Sequence, residues 1–186
     1  MHIISGNAKG RKILTLDGEN TRPTQGRVRE SLFSILYPHI QKARILDLFA
    51  GSGSLALEGL SRGAESAVAV DAQKRAIEII KKNRTALGFA SQMKILHLSW
   101  EKALFQLKKQ GDLFELIFVD PPYEMADQEK IFQGLVSYRL LAPKGMIVYE
   151  HGSRQEEPVI KELIAFDRRK YGDTWLTFYR WKEELF

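Results

Sequence analysis

Asp120-Pro121-Pro122-Tyr123 stands directly after an apolar run, Glu115–Val119. Two prolines fix φ and remove two backbone donors, so they stop a strand and hold a stiff, extended loop with free carbonyl acceptors. A turn needs no more than that, and it leaves the flanking Asp and Tyr unexplained. A chemical role accounts for all four. The Asp120 carboxylate can accept a hydrogen bond from an exocyclic amino group, and the Tyr123 ring can stack on the base that carries it. An extruded base read by stacking and by its edge is the geometry that chemistry on a nucleobase needs. Asp120, Pro121, Pro122 and Tyr123 are therefore the candidate catalytic residues.

A second constellation lies upstream, Asp47-Leu-Phe49-Ala-Gly51-Ser52-Gly53-Ser-Leu-Ala56. Gly51 and Gly53 permit a tight turn and close approach of a ligand to the backbone. Gly51–Ala56 matches G-x-G-x-x-G/A, and Asp71 follows about twenty positions on, where an acid accepts ribose hydroxyls. That pattern fits NAD, FAD and S-adenosylmethionine alike. The sign of charge separates them. A pyrophosphate on the glycine turn and helix N-terminus would be repelled by Asp47. The ammonium and sulfonium of S-adenosylmethionine would be attracted. Asp47, Phe49, Gly51, Ser52, Gly53 and Asp71 are the cofactor-binding candidates.

At this point the chain resembles a known group. A Pro-Pro-Tyr block downstream of a glycine-rich adenosine loop is similar to class I methyltransferases acting on exocyclic base nitrogens. More closely, Arg22-Pro-Thr24, Val28-Arg-Glu30, Asp47–Gly53, Leu60-Ser-Arg-Gly-Ala64 and Asp120–Tyr123 resemble the RsmD family, bacterial 16S rRNA (guanine-N2)-methyltransferases. The likeness runs from residue 3 to about 180, with the blocks in the same order. It implies S-adenosylmethionine as cofactor, 16S rRNA or an assembling small ribosomal subunit as partner, and a cytoplasmic protein. It also implies that Thr24, otherwise a helix N-cap, faces the cofactor. In many relatives an acid or amide after the third strand holds the adenine amino group. Here that pair is Ser99-Trp100, with Ser99 left to accept the hydrogen bond and Trp100 to pack on the ring. A DNA adenine-N6 or cytosine-N4 methyltransferase shares the Pro-Pro-Tyr chemistry but commonly adds a sizeable recognition region, for which little chain remains. A non-catalytic NAD-binding protein would leave Asp47, Asp120 and Tyr123 without a role.

These residues need a frame that brings strand ends together. From residue 43 the sequence alternates apolar strand runs with helical periodicity: strands at 43–49, 66–70, 94–98, 115–119 and 145–149, and helices at 54–62, 73–87, 101–110, 128–138 and 158–166. Trp175–Trp181 reads as a closing antiparallel strand. Such a rhythm predicts a doubly wound α/β, Rossmann-like sheet, mostly parallel, with helices on both faces. Asp47, Asp71 and Asp120 then all stand at the carboxyl ends of strands, where such sheets bind ligands. His151 follows Glu150 at another strand end and is a candidate pocket residue.

Residues 1–42 read as an arm ahead of the 43–186 methyltransferase domain: a β-hairpin from 2–4 and 11–16, then a helix over 25–37 ended by Pro38. The 186 residues carry a net charge of +5, and all of it lies in residues 1–44, with eight basic and three acidic side chains. A cationic arm on a neutral body points to a polyanion, and Lys9, Arg11, Lys12, Arg22, Arg27 and Arg29 are the candidate RNA contacts. Zero cysteines exclude a disulfide scaffold, a thiolate metal site and a thiol nucleophile. His2, His39, His97 and His151 lack ligand spacing, so no metal is expected, and no apolar run is long enough for a membrane helix.

Overall fold

The computed structural model describes residues 1–16, 23–122, 125, 128–153 and 155–182, of which 23–25 by backbone alone. Its helices are α1 (Pro23–Ile35), α2 (Tyr37–Ile40), α3 (Ser54–Ser61), α4 (Lys74–Leu87), α5 (Trp100–Gln110) and α6 (Gln128–Ser137). Its strands are β1 (Arg44–Asp47), β2 (Ser66–Asp71), β3 (Met93–His97), β4 (Phe114–Val119), β5 (Leu141–Gly152), β6 (Leu163–Tyr171) and β7 (Thr174–Trp181). One sheet contains them all in the order β3-β2-β1-β4-β5-β7-β6, with β7 antiparallel to both of its neighbours. The pairings from β3 through β5 are parallel. Chain direction across the sheet reverses between β1 and β4, which is the switch point where doubly wound sheets open a ligand crevice.

Apolar alternation explains why both faces are covered. Ile45, Ala69, Leu116, Phe118 and Val148 enter one core cluster with α1, α3 and α4. Their neighbours Leu46, Val70, Ile117, Val119 and Ile147 enter the other with α5 and α6. Gly88 and Gly111 end α4 and α5 at φ +81° and +71°, a left-handed cap that costs other residues steric strain.

The segment 158–166 is a correction: the apolar spacing there predicts a helix, and the structure has the start of β6. Val159, Ile160, Leu163 and Ile164 fit a helical stripe on paper, yet from Leu163 onward burial alternates and pairing with β7 decides the outcome. Arg168 and Arg169 accordingly lie on β6, paired with Glu157 and Asp167. Pro38 does not end a helix either. It occupies the first turn of α2, where its missing N–H is no loss. Helix α1 begins at Pro23, so Thr24 lies inside it and is not its N-cap.

The expected hairpin of 2–4 with 11–16 is reduced to a single bridge between His2 and Lys12. The N–H groups that would extend the ladder turn to α3 instead. Glu58, fully buried, accepts from Ile4 N (2.8 Å) and Ser5 N (3.0 Å) and pairs with Arg62. Ser61 accepts from Ala8 N at 3.0 Å and donates to the Ser5 carbonyl at 2.6 Å. A Cβ on Gly6, φ +85°, would lie 1.7 Å from the Ser61 carbonyl oxygen, so only glycine permits this approach. Ile3, Ala8 and Ile13 complete the contact inside the first core cluster.

Candidate active site

The glycine turn after β1 is fastened from two strand ends. Asp71 Oδ2 accepts from Gly51 N at 2.9 Å, and Oδ1 accepts from Gln73 N at 2.8 Å. Asp47, 2% exposed, accepts from Ala56 N at 3.2 Å and so satisfies a donor in the first turn of α3. Gly51 and Gly53 have φ of +53° and +78°, and a Cβ on Gly53 would press on Ile80 at 3.3 Å. Asn83 of α4 holds the turn from below, donating to the carbonyls of Ser52 and Leu14 at 2.9 Å each and accepting from Leu14 N at 2.8 Å.

Two cavities open at the carboxyl ends of the strands. The larger, about 580 Å³, is bordered by Asp71, Gln73, Ser99, Trp100, Pro121 and Pro122. The smaller, about 170 Å³, lies toward α1 and is bordered by Arg29, Asp47, Ser52, Ser54, Asp120 and Glu150. Phe49, Gly51 and Asp120 belong to both walls. Apolar wall residues of the smaller cavity, Val28 and Leu32, come from the first core cluster, and those of the larger, Leu48 and Leu98, pack with the second. The junction thus lies at the carboxyl ends of the central strands β1 and β4, with one cavity toward each face.

The larger cavity suits an adenosine. A carboxylate offers about four acceptor directions, and Asp71 gives two to backbone N–H groups. Those that remain match the two hydroxyls of a ribose. Ser99 is the half-exposed residue ahead of α5, with no side-chain cap bond, and Trp100 packs at the edge of the second cluster. Pro121 is buried, while Asp120 and Pro122 face solvent, and the Pro122 carbonyl receives Met125 N at 2.9 Å. Beneath the junction, burial raises the Tyr149 hydroxyl to about 12, with the Asp120 charge adding to it.

The structure thus brings Asp47, Phe49, Gly51, Ser52, Asp71, Ser99, Trp100, Asp120, Pro121 and Pro122 onto the two cavities. Gly53 shapes the turn without bordering either. Arg22, Tyr123 and the Thr24 side chain lie outside the described residues. Among the cationic candidates, Lys9, Arg11, Lys12 and Arg27 are exposed, and of these Lys9, Lys12 and Arg27 have no side-chain hydrogen bond or ion pair among the described residues. Arg11 differs, because its guanidinium donates to the carbonyls of Ala86 and Leu87 at the end of α4. Arg29 differs too: it is 8% exposed and donates to the His2 carbonyl at 2.7 Å, so it faces inward rather than toward a phosphate. Burial lowers its pKa, an effect that Glu58 partly opposes. His151 turns away from the cavities to Thr177 Oγ1 at 2.9 Å, and its predecessor Glu150 takes the place in the wall. Strand alternation from the buried Tyr149 was the available signal for that choice. Glu58, Ser61 and Asn83 carried no local signal, since the N-terminal groups they hold lie 53 to 69 residues away. Among the described residues no cluster could hold a metal ion, and no helix is long and apolar enough to cross a membrane.

This strand order, with a glycine turn after β1, an acid closing β2 and Asp-Pro-Pro after β4, defines a Rossmann-like class I methyltransferase fold. The chain belongs to the RsmD family, whose model, described as "Conserved hypothetical protein 95", matches residues 1–180. It is 36% identical over 181 residues to the "Putative rRNA methyltransferase YlbH" of Bacillus subtilis, covering 97% of this chain and 98% of that one. It is 33% identical over 170 residues to the Ribosomal RNA small subunit methyltransferase D of Escherichia coli K12, covering 91% and 84%. The solved "Putative methyltransferase yhhF" from Escherichia coli superposes with a TM-score of 0.86 at 29% identity, covering 98% of both chains.

Proposed function

We propose that the protein transfers a methyl group from S-adenosylmethionine to the exocyclic N2 of a guanine in 16S rRNA. The observation that carries this reading is Asp120, which borders both cavities at once. The names of the relatives above, rRNA methyltransferases, support the substrate class. When bound, S-adenosylmethionine supplies a methyl carbon made electrophilic by its sulfonium. The chain does the rest by placement, since holding nucleophile and carbon about 3–3.5 Å apart removes most of the entropic barrier. Asp71 takes the ribose hydroxyls and Ser99 and Trp100 border the adenine, while Asp47, on the adjoining cavity beyond the shared Phe49 and Gly51, faces the ammonium. Where the two cavities meet, the Asp120 carboxylate and the Pro121 carbonyl accept the amine hydrogens and aim the nitrogen lone pair. As the N–C bond forms, Asp120 accepts the proton that the nitrogen loses. Tyr123 stacks on the base. Residues 1–42 serve as the RNA-gripping arm of the 43–186 transfer domain, through Lys9, Lys12, Arg22 and Arg27. Mass mapping of 16S rRNA nucleosides from cells lacking the protein tests this. One N2-methylguanosine should vanish, and return with the wild-type gene but not with Asp120→Ala. Undiminished N2-methylguanosine in the deletion strain would refute the reading.

A further inference from the structure

Three neighbouring strands each send a carboxylate into the smaller cavity: Asp47 ends β1, Asp120 follows β4 and Glu150 lies near the end of β5. Asp47 is fastened to α3, and Asp120 has the role given above. Glu150 has none so far. On β5, Tyr149 and His151 stack on each other at 4.7 Å on one face, so Glu150 points to the other, toward α1. There its carboxyl accepts no hydrogen bond and joins no ion pair among the described residues. Burial accordingly pushes it up to about 7. On the same cavity wall Arg29 is 8% exposed, and its Nε–H is buried without an acceptor. A carboxylate that borders a cavity with none of its acceptors engaged by the protein is placed to take a donor from a ligand there.

We propose that Glu150 selects the base: its carboxylate accepts the ring N1–H of guanine while Asp120 holds the adjacent N2 amine. This rests on the base-methylation reading above. Guanine is the base whose amine sits beside a ring N–H. The ring nitrogens beside the amines of adenine and cytosine, N1 and N3, carry lone pairs. A carboxylate at that point attracts the first and repels the other two, so the same Asp-Pro-Pro loop is restricted to one of three amines. Sites built to hydrogen-bond a group discriminate strongly against analogues that lack it.

The test uses the purified full chain with small-subunit RNA whose modified position has been mapped, carrying either guanine or 2-aminopurine there. The analogue keeps the N2 amine but lacks O6 and presents a ring lone pair in place of N1–H, so the part of the preference that rests on N1–H is the part the Glu150 variants remove. Wild type should prefer guanine by about 100-fold or more in single turnover. In Glu150→Gln the amide can turn an N–H toward a ring lone pair, and the preference should collapse to within about fivefold. Affinity for S-adenosylhomocysteine should stay within about threefold, which also reports that the variant is folded. Glu150→Ala, lacking any acceptor, should lose the preference as well. A wild-type reaction that yields no N2-methylguanosine overturns the substrate reading and this assignment together. Wild-type N2-methylguanosine with an unaltered guanine preference in both variants overturns the Glu150 assignment alone.

Discussion

Asp71 and Asp120 are carboxylates at the ends of two strands of one sheet, yet their removal should damage different steps. Asp71→Ala deletes the proposed ribose acceptor and also releases Gly51 N and Gln73 N, so the glycine turn loosens with it. Affinity for S-adenosylhomocysteine, measured by calorimetric titration, should weaken by about 1–3 kcal/mol. Asp120→Ala should leave that affinity within a few-fold and slow single-turnover methyl transfer by at least about 100-fold. Glu150 gives a pH signature. Its carboxyl is raised from 4.5 to about 7 by burial, so between those values the folded protein holds a proton that the unfolded chain has released. Stability contributed by this group is therefore complete below pH 4.5, falls as pH rises through 7, and is level above. Asp47, Asp120 and Arg29 share its cavity, so the comparison that isolates it is melting temperature against pH for wild type and Glu150→Gln. The wild-type decline should be shallower in the variant.

At the level of elements, the N-terminal segment is joined to α3 by backbone donors on buried side chains, and α4 by Arg11. Gly6→Ala would put a methyl group into the Ser61 carbonyl at a positive φ. It should lower stability by about 2–4 kcal/mol, read by denaturant unfolding, because neither backbone can yield without losing the Glu58 and Ser61 bonds. Strands with a period of two and helices with a glycine stop were legible in the sequence, since each is set by residues a few positions apart. Asp47, Asp71 and Asp120 were legible for the same reason, as acids closing apolar runs. The region from Val159 to Phe166 was not, because its spacing satisfies a helix and a strand equally, and the partner that decides, β7, follows later in the chain. Glu58 and Asn83 looked like ordinary surface positions on amphipathic helices. Their burial comes from partners more than 50 residues away.

For the molecule as a whole, the excess charge sits on residues 1–44, and among the described cations there Arg29 is buried while Arg11, though exposed, is engaged by the end of α4. Each phosphate neutralised adds about 0.7–0.9 to the log–log salt slope of RNA binding. Changing the exposed Lys9, Lys12 and Arg27 together to Gln should thus flatten the slope by about two to three, with cofactor titration unchanged. Equal slopes for variant and wild type would place the RNA grip elsewhere. The arrangement of the two cavities, one toward each face and touching at Phe49, Gly51 and Asp120, also bears on turnover. If cofactor and base divide between the two cavities as proposed, the demethylated cofactor departs while RNA is still held, and a fresh one enters behind it. Product inhibition then divides by substrate: S-adenosylhomocysteine competes with the methyl donor and leaves the apparent affinity for RNA untouched.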